Sequence, residues 1–361
     1  MAGNKKPRVI AFYLPQYHPI PENDGWYGRG YTEWVNVAQA RAMFPGHYQP
    51  HIPADLGFYD LRLPEIRRAQ ADMAASYGVD AFCYWTYWFG GGRRLLTMPL
   101  EEVLRDETIK LPFCIAWANH DWSKKSWDPN GNGTLLMKQE YLGKDDYAAF
   151  FREYLSCFHD ARYFRVDGKP LVIVHNPLEP ALKEFLECWR SMAKQHGLGD
   201  FYFVGKDTGY KEKDSILSMG FDAVYEDNVF NIHHESSKLK KGLWYLGRRF
   251  LKRPTSFQYE KAVKYMVSEM ASDEHVIPLI APNWDHTPRS GGDSILLRDC
   301  EPKYFGEVCN NAFRIVQDKS EQKRIVIIKS WNEWGEGNHM EPDRRYGRGY
   351  LEELRKALEL F

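Results

Sequence analysis

The stretch Arg324-Ile-Val-Ile-Ile-Lys-Ser-Trp-Asn-Glu-Trp-Gly-Glu-Gly337 changes character in its middle. A β-branched run stops at Ile328. Two tryptophans (Trp331, Trp334), Asn332, two glutamates three apart (Glu333, Glu336) and two glycines follow, with Glu341 a little beyond. A buried strand that ends in carboxylates and indoles puts charge and flat apolar surface at its C-terminal end. In α/β folds that end is where ligands bind.

Working outward, the same pattern recurs. Short apolar runs at Arg8–Leu14, Asp80–Trp88, Phe113–Ala118, Pro170–His175, Phe201–Gly205, Asp222–Tyr225 and Val276–Ala281 read as strands. Helical spacing alternates with them over Pro64–Tyr77, Met98–Leu104, Tyr147–Phe158, Pro180–His196, Tyr259–Ala271, Pro302–Val316 and Tyr350–Leu358. Strand–helix alternation predicts a parallel α/β sheet, and a count of eight predicts a closed (β/α)8 TIM barrel with long βα loops. Most of the strands run into polar, aromatic sequence at their C-terminal ends, and a barrel brings those ends to one face. The expected organisation is one catalytic domain over residues 1–361, with a basic insertion at about 233–257 in the sixth connection.

Length and composition fit that architecture. The chain has 361 residues, 43% hydrophobic and 15% aromatic, with a net charge of −1. No bulk field points to nucleic acid or an anionic membrane. Six cysteines without C-x-x-C spacing read as free buried thiols in a reducing compartment. With no signal-like or membrane-spanning apolar segment, the expected compartment is the cytoplasm.

The glutamates carry the chemistry. Glycosidic cleavage needs one protonated carboxyl and one ionised one, and two close carboxyls push their proton affinities apart. Glu333 and Glu336 meet that need, although E-x-x-E is also common on surfaces. Sugar rings stack on aromatic faces while their hydroxyls take hydrogen bonds from amides and carboxylates. Tyr84, Tyr87, Trp88, Trp117, Trp122 and Trp284 alternate with Asn119, Asp121 and Asp285 in that fashion. Asp121, Asp285 and His286 match no metal-binding spacing. Gly90-Gly91-Gly92 lacks a phosphate-loop lysine, and no dinucleotide fingerprint follows the first strand. The basic insertion reads either as a solvated face or as a patch for a phosphorylated or nucleotide-linked substrate.

Four motifs then resemble one family: Ala11-Phe-Tyr-Leu-Pro-Gln-Tyr-His-Pro-Ile-Pro-Glu-Asn-Asp24, Gly30-Tyr-Thr-Glu-Trp-Val-Asn36, Pro45-Gly-His-Tyr-Gln-Pro50 and Trp331-Asn-Glu-Trp-Gly-Glu-Gly337. Together they are similar to WbsX-type, glycoside hydrolase family 99-like proteins, related to endo-α-mannosidases. The resemblance implies a barrel with Glu333 and Glu336 as catalytic pair and no cofactor or metal. It implies retention through the substrate's own 2-hydroxyl, deprotonated by Glu333 while Glu336 serves as acid and then base. A carbohydrate substrate, α-linked and manno-configured, is the expected partner. A glycosyltransferase of surface-polysaccharide assembly is the alternative. Tyr13, Gln16, His18, Glu33, Trp34, His120, Asp227 and His286 join the expected sugar-contacting residues, as do Trp331, Asn332, Trp334 and Glu341. Two loops depart from the family: Trp117-Ala-Asn-His-Asp-Trp122 stands where relatives show Trp-Ala-Asn-Glu-Asn-Trp, and Asn283-Trp-Asp-His-Thr-Pro-Arg289 where Trp-Asp-Asn is usual.

Overall fold

The computed structural model describes residues 5–124, 133–208 and 212–361. Its eight barrel strands are β1 (Arg8–Tyr13), β2 (Ala81–Trp88), β3 (Phe113–Trp117), β4 (Lys169–Val174), β5 (Tyr202–Asp207), β6 (Ala223–Glu226), β7 (Val276–Ile280) and β8 (Ile325–Ile328). Each pairs in parallel with its neighbour in sequence. The pairing of β8 with β1, in the register Arg8↔Ile325 to Ala11↔Ile328, closes the cylinder. The fold is therefore a (β/α)8 barrel, and a closed sheet leaves no strand edge unpaired.

Strand alternation sorts the aromatics. Side chains two apart share a face. Phe12 of β1 stacks on Trp85 of β2 with ring centroids 4.6 Å apart and meets Tyr225 of β6, across the barrel interior. The opposite parity faces the helices. The Tyr13 hydroxyl donates to Gln70 in the helix Pro64–Ser76, and Trp88 stacks on Phe150 of the helix Lys144–His159. Those outer helices are amphipathic, as in Leu182–Gln195, which buries Leu182, Phe185, Leu186 and Trp189 on one side.

One expectation is corrected. The helix expected over Tyr259–Ala271 breaks after Ala262 into single 3-10 turns at Val263–Tyr265 and Glu269–Ser272. Ser268 restarts the chain there, accepting from the Met270 amide and donating to Glu226. The long loop after β1 holds short helices at Pro21–Tyr27 and Glu33–Gln39. Within the basic insertion lies a helix, Lys238–Leu251, followed by a strand, Thr255–Gln258, that pairs in parallel with Ile295–Arg298. All six cysteines are free. Among the described residues, no helix is long and apolar enough to cross a membrane.

Candidate functional site

The segment after β8 is held from beneath. Asn332 ties it to the β1 end, accepting from the Leu14 amide at 2.7 Å and donating to the Leu14 carbonyl at 3.1 Å. The Trp334 amide donates to the Tyr17 hydroxyl, and the Trp334 ring lies flat on His339, 3.7 Å away. Gly335 sits where any Cβ would overlap the Glu33 carboxylate, and Gly337 is left-handed (φ +51°) with its α-carbon against Asp285. Glycine is required at the first position by space and at the second by both space and backbone. These supports turn Glu333 and Glu336 toward the barrel axis.

Both carboxylates meet one arginine. Arg289, from the loop after β7, donates through Nε to Glu33 (2.8 Å) and through one terminal nitrogen to Glu333 (3.2 Å) and Glu336 (2.5 Å). Ser330 donates to the other Glu333 oxygen at 3.1 Å, and His286 stands 3.5 Å from Glu336. Burial, then the neighbouring Glu336 charge, raises the Glu333 proton affinity. Burial would raise Glu336 as well, but Arg289 and His286 outweigh it and hold Glu336 below the usual carboxylate range. In the empty site Glu333 is therefore the member of the pair with the higher proton affinity.

The two glutamates open into a cavity of about 410 Å³ at the C-terminal ends of the strands. Trp85, Tyr87, Trp122 and Trp284 supply its aromatic walls. His120, Asp121, His175, His286, Arg289, Lys206 and Lys329 supply its polar ones. Burial works against charge on Lys329, but Asp227 at 2.8 Å keeps it protonated. Lys206 reaches the same Asp227 oxygen at 3.2 Å.

The sequence-predicted residues divide into two sets. Tyr87, His120, Asp121, Trp122, Trp284, His286, Glu333 and Glu336 line the cavity. The others lie behind it. Tyr13, Tyr84, Trp88 and Trp117 face the helix layer, and the Trp117 indole donates to the Trp88 carbonyl. Gln16, His18 and Trp331 are buried, and burial pulls His18 down to about 4. Trp34 packs on Tyr17 and Trp334. Glu33 is fully buried under Arg289. Asn119 clamps Asn176 of the loop after β4. Asp285 accepts from His47, Gln49 and the Thr287 amide, and Asp227 accepts from the two lysines. Arg289, Lys206, Lys329, His175 and Trp85 line the cavity without having been singled out. The signal for Trp85 was its parity with Tyr87, and for the lysines their place one or two residues from a strand's end.

Glu341 is a different case. It accepts hydrogen bonds from Trp334, Gln70 and Tyr59, all out of contact with solvent. Burial nevertheless wins and pushes its carboxyl up from 4.5 to about 7. A raised folded-state value means stability that is complete below about 4.5 and lost as pH rises through about 7. Glu341→Gln, which does not titrate, should therefore gain on the wild type by about 3 kcal/mol between those limits. Urea unfolding of both at pH 4.5 and 7.5 measures the change.

Among the described residues, His51, His339 and Asp343 form a buried group with ligand atoms within 4.8 Å of one another. Their two imidazoles already hydrogen bond to each other at 2.9 Å, a bond that a cation would have to replace.

A family model described as glycosyltransferase WbsX matches residues 9–354. Two curated proteins from strains of Xanthomonas campestris pv. campestris, both called uncharacterized protein WxcX, are 36% and 35% identical over 355 residues. The match takes in 97% of this chain and 49% of each relative, so the chain spans about half their length. Among solved structures, a glycoside hydrolase-like protein superposes with a TM-score of 0.60 at 16% identity, covering 99% of this chain and 95% of its own. The family 99 endo-α-mannosidase of Bacteroides thetaiotaomicron, in complex with BIS-TRIS-propane, superposes at 0.55 with 18% identity, covering 98% and 96%. These structural likenesses establish a shared fold.

Proposed function

The chain belongs to the family described as glycosyltransferase WbsX, and from that membership and the cavity we propose that it is a retaining glycoside hydrolase acting on an α-linked, manno-configured glycan. The carrying observation is a pair of carboxylates bridged by one arginine, with proton affinities driven apart, in an aromatic-walled cavity. A hydrolase needs that combination, and a nucleotide-sugar transferase does not.

In the proposed reaction Glu333 takes the proton of the sugar 2-hydroxyl, and that oxygen attacks the anomeric carbon. The bond to the leaving oxygen breaks as Glu336 protonates it. Water, deprotonated by Glu336, then opens the 1,2-anhydro sugar at the anomeric carbon, and Glu333 returns its proton to O2. Both carboxyls end as they began, and two inversions give retention. This sequence starts with the proton on Glu336, whereas in the empty site Glu333 has the higher proton affinity. Substrate supplies the transfer: a 2-hydroxyl donating to Glu333 favours its ionised form, and a glycosidic oxygen accepting from Glu336 favours its protonated form. Stacking on Trp85, Trp122 and Trp284 would hold the flanking sugars.

The second reading is glycosyl transfer from a sugar diphosphate. It draws on the family description and on Lys206 and Lys329 in the cavity wall, but Asp227 already engages both. The test is incubation of the chain with α-mannan oligosaccharides and bacterial surface polysaccharides, with NMR of the first-formed product. New α-configured reducing ends are expected. Sugar-nucleotide-dependent elongation, with nucleoside diphosphate release and no hydrolysis, would replace this reading by the second.

A further inference from the structure

The helix Lys238–Leu251 reverses the usual arrangement of an amphipathic surface helix. Its side chains at positions 241, 244 and 248 face the protein. Lys241 donates to the His234 carbonyl at 2.9 Å, and Trp244 packs edge-on against Phe257 with centroids 4.9 Å apart. Its apolar stripe faces out. Leu239, Leu243, Leu246 and Phe250 follow one another at four, three and four residues, which places them on one line along the helix. They are 76%, 60%, 49% and 74% exposed. No residue of this helix is buried, whereas Leu182–Gln195 buries its apolar stripe completely.

Charge identifies what would cover that stripe. From Lys238 to Arg253 the sequence holds seven basic residues (Lys238, Lys240, Lys241, Arg248, Arg249, Lys252, Arg253) and no acidic one, in a chain of net charge −1. On the helical circle Lys240 flanks the stripe on one side, and Lys238 and Arg249 flank it on the other. An apolar ridge between cationic shoulders matches the boundary of a bilayer: acyl chains take the leucines and phenylalanine, and anionic headgroups take the lysines and arginines. A copy of this chain would have to meet the same positive charge with its own.

The helix is also well seated. Ser237 caps its start, accepting from the Lys240 amide. Its last turn lies on the Gly291–Asp293 turn so closely that a Cβ at Gly292 would overlap the Lys252 carbonyl. That turn follows the Thr287–Ser290 helix that carries Arg289. The helix therefore stands on the rim of the barrel face that holds the cavity.

We propose that Lys238–Leu251 is an interfacial membrane-binding helix that docks the cavity-bearing face of the barrel onto anionic phospholipid. The proposal does not rest on the hydrolase reading, since vesicle binding is measured without turnover. The 361-residue chain is sedimented with phosphatidylglycerol/phosphatidylethanolamine vesicles and with phosphatidylcholine vesicles, at low and high salt. Binding to the anionic vesicles is expected to exceed that to the neutral ones by roughly tenfold or more and to fall with salt, as the screening length drops from about 8 Å at 0.15 M to about 3 Å at 1 M. Leu243→Glu/Phe250→Glu, changed at exposed positions and checked for an unaltered melting curve, should lose it, and Lys240→Glu/Arg249→Glu should weaken it. Equal partitioning onto both vesicle types, or binding unchanged in the apolar double variant, would overturn the proposal. So would a wild-type dimer that this variant dissociates when no vesicles are bound; the stripe would then be a homotypic interface.

Discussion

Glu333→Gln and Glu336→Gln are each expected to reduce turnover of the natural glycan by about a thousandfold, since positioned acid–base groups contribute roughly 10²–10⁴. The two variants should differ when the leaving group is changed. An activated aryl glycoside departs without protonation, so on that substrate the variant lacking the acid should recover most of its kcat/KM, which reports the first step, while opening of the anhydro sugar still lacks its base. The variant lacking the group that activates the 2-hydroxyl should not. With Glu336 as acid, recovery belongs to Glu336→Gln. The higher proton affinity of Glu333 in the empty site makes the reverse outcome a definite alternative: recovery by Glu333→Gln would exchange the two roles. If both variants keep wild-type turnover on a substrate that the wild type cleaves, the hydrolase assignment is wrong. The glutamines are nearly isosteric, and Arg289 remains bound to Glu33 in each, so a loss of activity without a loss of melting temperature separates chemistry from folding.

The barrel was legible because its evidence is repeated. Runs such as Ile325–Ile328 and Val276–Ile280 are apolar throughout, as strands buried on both faces must be, and their polar exits mark one rim. The site was legible only in part. Period-two alternation decides whether a strand aromatic faces the barrel or the helices, and one strand alone does not say which parity is which. Tyr84 and Trp88 face the helices while Trp85 and Tyr87 face the cavity, a difference fixed by the neighbouring strands. Motif residues such as Asn332, Trp334, Asp285 and Glu341 are polar or aromatic for another reason: each holds a loop in place behind the carboxylates. Contacts of high sequence separation were out of reach. Nothing near Glu33 in the chain announces that its carboxylate meets Arg289, 256 residues away.

That contact gives the remaining large effect. Arg289 is the shared cation of three carboxylates, its own side chain 5% exposed and that of Glu33 wholly buried. Burial alone would lower the charge on Arg289, yet Glu33, Glu336 and Glu333 together hold it firmly protonated. Arg289→Met keeps the bulk and removes the charge, which leaves the Glu33 carboxyl buried without its ion-pair partner. Breaking one side of such a pair costs about 3–5 kcal/mol, so chemical denaturation should show a loss of that size. Arg289→Lys should recover part of it, since it keeps the charge but loses the fork that reaches Glu33 and the Glu333/Glu336 pair from different nitrogens. Adding Glu33→Gln to Arg289→Met should return much of the lost stability, because the stranded carboxyl is gone. Activity separates a positioning role from a purely structural one. Arg289 holds Glu336 down, so in the stabilised double variant the acid limb of the pH–rate profile should move to higher pH, by direct loss of the guanidinium beside that carboxylate. An unmoved profile in a stable double variant would confine Arg289 to holding the helix Glu33–Gln39 against the barrel.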